Sequence, residues 1–283
     1  MSNLVRSIKK FLNDAMAVYA AALSYQLLFS IFPFMIFLLA LLSLLNITEL
    51  FDWMLKQAQT ILPGRASELV TNIVEQLRSG AGGALSFGAV VGLWLASSAV
   101  RMTMLALDVA YEVEEPAVWK KFPLSILYTV LLAILVIAAA ALMLIGPRLA
   151  AWLAKLVGLG DVFTTVWTWA RIPLGVVLLI LVAALIYYLF PNISQPFRLI
   201  TPGAVLAVIV WVVASLGFSW YVANFANYNA VYGSLAAVIV LLLYFFISAA
   251  ILLLGGELNS ELYHQTFEDE RPEEGAAQDN SEA

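Results

Sequence analysis

From Leu199 to Gly256 the chain runs 58 residues without an Asp, Glu, Lys or Arg. A helix crossing a bilayer needs about 20 mostly apolar residues, so this stretch holds two spans and the turn between them. The first charge to end it is Glu257, inside LLLGGELNSEL, Leu252 to Leu262. A whole-chain share of 63% hydrophobic and 12% charged residues, against about 25% charged in an ordinary soluble domain, says that the rest of the molecule is built the same way.

Six apolar runs are long enough to span. They lie within Val18–Leu45, Leu85–Val109, Leu124–Ile145, Ile172–Phe190, Thr201–Phe225 and Gly233–Leu258. Because they are continuous and not alternating, they predict helices and not barrel strands. The expected fold is therefore an all-α integral membrane protein with six transmembrane helices. The membrane domain is expected over residues 1–262. Beyond it, 263–283 reads as an acidic, disordered cytoplasmic tail, since EDERPEEGAAQDNSEA carries seven acids against one arginine. The first apolar run, Ala15 to Thr48, exceeds a secretory h-region of about 7 to 15 residues and reads as a retained anchor.

Pro33 lies within that first run. Its ring would clash with the Phe29 carbonyl and it donates no backbone hydrogen bond, so a kink is expected there, either for packing or as a hinge. Ser30 is the nearby candidate to satisfy the freed carbonyl. In the first loop ITELFDWMLKQAQTILP and RASELVTNIVEQLRSG read as short amphipathic surface helices, and PRLAAWLAKLVGLGDVFTTVWTWARIP in the third loop reads similarly. Trp152, Trp167 and Trp169 suit an interfacial belt. The cluster Arg6, Lys9, Lys10 and the pair Lys120, Lys121 favour both termini on the cytoplasmic side.

Chemistry has few places to reside. The chain has no cysteine and one histidine, His264, which leaves neither a thiolate site nor an imidazole cluster. No phosphate-binding GxxxxGK[ST], HExxH or GxSxG motif occurs, so no metal or other cofactor is expected. Arg101 sits deep in the second apolar run with Asp108 two turns along the same face. An arginine at that depth either lines a polar interior, where it could receive an anionic group, or snorkels to the interface. NFANYNAVYGS, with Asn227 and Tyr228, is either a plain hairpin or a loop folded over a cavity. Tyr25 in the first span and Glu257 in the sixth complete the candidate pathway or gate.

Three segments together resemble the YihY/BrkB family of bacterial inner-membrane proteins: AAALSYQLLFSIFPFMIFLLALLS, RMTMLALDVAY, and the long terminal stretch holding YGS and then GGELN. The resemblance implies six transmembrane helices and residence in the bacterial inner membrane. Members have carried the label ribonuclease BN, a misassigned name, and the label virulence factor. Movement of lipids or small solutes has been suggested for the family, and the resemblance carries over no catalytic residues.

Transport of a lipid or other anionic amphiphile or small solute is the reading that intramembrane ionisable groups favour, with Arg101→Ala expected to abolish it. The alternative is a scaffold for envelope proteins. A ribonuclease would need acid–base histidines or metal-bound carboxylates and a basic surface, which this composition does not offer. The expected partners are membrane lipids, a second copy of the chain or envelope proteins, and not nucleic acid. Glu257 lies 24 residues past Gly233, about 36 Å along a helix. It is therefore expected at the inner boundary, pairing with Arg101, Lys120 or Lys121.

Overall fold

In lipid every backbone N–H and C=O must be paired within its own segment, so long apolar runs have helix as their outlet. The computed structural model describes residues 3–44, 56, 71, 82–114, 116–157, 160–193, 195, 196, 198, 200–225 and 235–268, and among them it contains no strand. Its helices are α1 (Asn3–Asn13), α2 (Met16–Leu44), α3 (Gly82–Ala110), α4 (Val118–Val157), α5 (Gly160–Leu189), α6 (Pro202–Phe225) and α7 (Leu235–Glu268).

Among the described residues, five stretches are long and apolar enough to cross a membrane: Val90–Ala110, Trp119–Ala139, Trp169–Leu189, Pro202–Asn224 and Val238–Thr266. A sixth is reached if α1 and Met16–Ile31 of α2, bent by 71° to each other, count as one span. The six-helix expectation fits. Two details differ from it. The segment expected as a separate third-loop surface helix is divided between α4, which continues unbroken for 40 residues, and α5. Forty residues rise about 60 Å, twice a hydrocarbon core of about 30 Å, so the interfacial sequence is carried as an extension of the spanning helix. The last helix likewise continues past residue 262 to Glu268. The expected first-loop surface helices and the acidic tail beyond Glu268 lie outside the described residues, apart from Lys56 and Thr71.

The chain divides into two compact units. The first comprises Met1–Ala21, Met104–Glu115 and Ala183–Ala283, the second Ala22–Thr103 and Pro116–Val182. In the second unit Pro33 lies inside the continuous α2 and packs against Gly92 of α3, where an added Cβ would stand 2.5 Å from the Pro33 carbonyl oxygen. Ser30 does not serve the carbonyl freed by the proline. It donates to the Leu95 carbonyl at 3.2 Å, and Ser98 donates to Gln26 Oε1 at 2.9 Å, so hydroxyls link α2 to α3. Such bonds, with small residues at the contact, hold helices together where lipid supplies no hydrophobic drive.

In the first unit α1 is amphipathic in an inverted sense. Leu4, Val5, Ile8 and Leu12 are exposed, while Ser7 is buried and Arg6 and Lys10 reach α7. An apolar outer face with a polar inner one suits a helix lying at the lipid boundary. Along α6, Ile209, Val213, Leu216 and Trp220 form an exposed apolar stripe, the pattern of a surface turned to hydrocarbon.

Candidate functional site

The site of the first unit is organised by GGELNS in α7. Glycine inside a helix costs about 0.5–1 kcal/mol relative to alanine, so two in succession need a compensating role. Here they allow close approach: a Cβ at Gly255 would collide with the Tyr187 hydroxyl and the Gly203 carbonyl of α6, and one at Gly256 would stand 2.5 Å from Leu107 of α3. Once the backbones are this near, the next three polar residues of α7 reach three different neighbours.

Asn259 completes the first turn of α6. Thr201 caps that helix, its Oγ1 accepting the Ala204 N–H at 3.2 Å, and Pro202 takes the position whose missing N–H would have been unpaired anyway. The Gly203 N–H has no partner within α6 and donates to Asn259 Oδ1 at 2.9 Å, while Asn259 Nδ2 donates to Thr201 Oγ1 at 3.0 Å.

Ser260 serves the other end of α3. Its hydroxyl donates to the Ala110 carbonyl at 2.6 Å, and Lys10 Nζ donates to the same oxygen at 2.8 Å. The cation thus meets the negative end of the α3 dipole. The helix closes with Glu112 N–H donating to the Val109 carbonyl and Val113 N–H to the Asp108 carbonyl, both at 3.0 Å. That bonding pattern puts Glu112 at φ 55°, a left-handed position that glycine usually fills. Lys10 also pairs with the Glu112 carboxylate at 2.8 Å. This hydrogen bond, with the Lys10 charge and His264 adding to it, holds the Glu112 carboxyl below its ordinary value despite partial burial. Neighbouring Tyr111 is pushed the other way, its phenol raised chiefly by burial and further by Glu257 and Tyr263.

Glu257 is 0% exposed. Neither of its carboxylate oxygens has a hydrogen-bond partner among the described residues, and the same holds for the enclosed atoms Asp14 Oδ2 and His264 Nε2. The charged groups that act on Glu257 are Lys10, Asp14 and Glu112.

A cavity of about 260 Å³ opens beside this junction, lined among others by Tyr111, Tyr187, Gln195, Arg198, Thr201 and Asn259. Gln195 is anchored by donating to the Tyr187 carbonyl at 2.7 Å, and Tyr187 by donating to the Leu252 carbonyl at 2.7 Å. Arg198 is the one charged residue of its lining, and the remaining polar groups are neutral.

The residues expected from sequence fall into distinct places. Arg101, in the second unit, donates to Ser97 Oγ at 2.7 Å and Ser125 Oγ at 3.2 Å and lies over the Phe122 ring at 5.1 Å. Asp108, in the first unit, is 1% exposed and accepts the Asn192 N–H at 2.9 Å, fixing the turn after α5. Tyr25 is 57% exposed and packs on Phe29 at 4.5 Å between ring centroids. Asn227 and Tyr228 lie outside the described residues. Glu257, expected at a boundary with Arg101, Lys120 or Lys121, lies within α7, and in its own unit the charged groups around it are Lys10 of α1, Asp14 after α1 and Glu112 after α3.

Sequence reasoning missed Asp14, Lys10, Thr201, Arg198, Asn259 and Ser260 as members of the site. The Thr-Pro-Gly at 201–203 is a legible helix start, whereas nothing local marks the partners that the other five find across the fold.

The family described as virulence factor BrkB matches residues 7–280. The chain belongs to the BrkB family. This BrkB protein is 36% identical over 256 residues to a ribonuclease-like protein, YfkH, of Bacillus subtilis (strain 168), a match covering 89% of this chain and 92% of that one. It is 25% identical over 276 residues to UPF0761 membrane proteins of Xanthomonas campestris pv. campestris (strain B100) and Xanthomonas axonopodis pv. citri (strain 306). Those matches cover 90% of this BrkB chain but 59% of the Xanthomonas proteins, so it spans well under two thirds of their length. No solved structure matches. The BrkB chain is a membrane protein with several apolar helices.

Proposed function

We propose that this BrkB protein is an inner-membrane translocator, with both termini cytoplasmic, that moves an anionic amphiphile and is not an enzyme. The observation that carries the reading is the cavity of about 260 Å³ in a unit made of spanning helices, with Arg198 as its cation. A guanidinium with neutral donors around it recognises a phosphate or carboxylate headgroup, while the apolar outer faces of α1 and α6 offer the acyl chain a hydrocarbon-like path. Arg198 takes the anion-binding role first given to Arg101, whose guanidinium is already held by two serines and a ring.

The test is a flip assay on the full chain in phosphatidylethanolamine–phosphatidylglycerol vesicles, with fluorescent phosphatidylglycerol as probe and dithionite as quencher. The protein should speed loss of the protected fluorescence, and Arg198→Gln should slow it about tenfold, equivalent to ~1.4 kcal/mol. Equal rates in protein-containing and protein-free vesicles would overturn the reading, and equal movement of a zwitterionic probe would overturn the anionic specificity.

A further inference from the structure

Glu257 presents a problem of unmet bonding. Two carboxylate oxygens, fully enclosed, have no donor among the described residues, and a side chain within hydrogen-bonding reach is another acid, Asp14, whose Oδ2 is equally enclosed and equally unmet. A buried ionised carboxylate without hydrogen bonds is costly, and two side by side are worse. The available donors are committed elsewhere. Lys10 Nζ is engaged by the Ala110 carbonyl, Ser260 Oγ and Glu112, and the Ser260 hydroxyl points at Ala110. The Tyr187 hydroxyl donates to Leu252, and Glu261, one turn further on α7, is paired with Arg6 at 3.3 Å. The remaining titratable groups that face Glu257 are Tyr111 and Glu112 after α3, and His264 of α7 faces Glu112.

One added proton answers most of this. Placed between the two carboxyl groups, it turns one into a donor to the other and satisfies an enclosed oxygen on each side, leaving the pair with a single negative charge beside Lys10. We infer that Asp14 and Glu257 form a proton-binding site holding one shared proton where the turn between α1 and α2 meets α7.

The position gives the proton something to move. Asp14 lies in the short link at which α1 and α2 bend by 71°, and α1 is otherwise held to α7 through Lys10 and Arg6. Losing the shared proton sets two negative charges against each other and drives Asp14 off α7. Regaining it docks the helix again. Resting on the translocator reading, this supplies an energy source: proton exchange at the pair drives the cycle that moves the headgroup.

Infrared difference spectroscopy of the full chain in vesicles tests the site without any transported substrate. The wild type should show the carbonyl stretch of a protonated carboxyl, shifted by deuterium, and both Glu257→Gln and Asp14→Asn should lose it. Two variants guard against one failing to fold. Persistence of the band in both folded variants, or its absence from the wild type, overturns the shared proton. The coupling is read in the phosphatidylglycerol assay: a pH difference across the vesicle should speed probe movement several-fold in wild type and leave Glu257→Gln unaffected. Equal acceleration in the variant overturns the coupling. If the probe does not move at all, the translocator reading falls, while the band still decides whether the proton is there.

Discussion

Asn259 Oδ1 accepts the Gly203 N–H at 2.9 Å, joining the polar turn of α7 to the first turn of α6. The bond exists because Gly203 and Gly255 let the two backbones nearly touch, and it settles a donor that the α6 cap leaves open. In a low-dielectric surround such a donor left alone costs about 1–3 kcal/mol.

Asn259→Leu should therefore lower stability by about 1–3 kcal/mol. Asn259→Asp keeps the acceptor for Gly203 and loses only the donor to Thr201, so it should fall between Leu and wild type. Thermal unfolding in detergent micelles measures the order, and equal loss in both variants would show that the acceptor is not what matters.

Glycine-to-alanine changes should have opposite signs at different sites. Gly203→Ala and Gly255→Ala place a methyl against backbone and should cost about 1–3 kcal/mol through overpacking. Gly217→Ala meets nothing within 4 Å and should stabilise α6 by about 0.5–1 kcal/mol. The same unfolding experiment reads all three.

Ala15, between α1 and α2, is held at φ 52°, a conformation that costs a residue with a side chain roughly 1–2 kcal/mol. Ala15→Gly should raise the unfolding midpoint. Substitution by Val, whose branched side chain tolerates that region least, should lower it.

Glu112 supplies a pH dependence with a definite sign. Its folded carboxyl sits below the ordinary value of about 4.3, so its contribution is complete above that pH and is lost as pH falls through the lower folded value. The Glu112 side chain is 64% exposed, which limits the pair to about 0–1 kcal/mol. Lys10→Met should remove this acid-side loss while Ser260 still holds the Ala110 carbonyl. An unchanged acid limb in stability measured against pH would show that Lys10 is not the cause.

Much of the architecture could be read from residues alone, because a span is a local property: some 20 apolar residues oblige a helix whatever surrounds them. The stretch from Thr201 to Phe225 was expected as one span and forms α6 from Pro202. Gly255 and Gly256 were legible as places where helices approach, and they do mark close contacts. The site was less legible. Arg101 drew notice by its depth, yet its serine partners are one turn away on its own helix and on α4. In sequence Arg198 is one more basic residue of a loop, and only the structure sets it in a cavity with Tyr187 and Asn259.

Glu257 shows where the division falls. The sequence by itself determined that a carboxylate would break a 58-residue uncharged run, next to two glycines, in a chain made for lipid. Only the tertiary structure decided that it would be enclosed, facing Asp14 from 243 positions earlier with Lys10 already engaged by other acceptors. Hydrophobic length is additive along the chain and can be summed by eye. The environment of a charge depends on which distant groups arrive beside it, and that is fixed by packing.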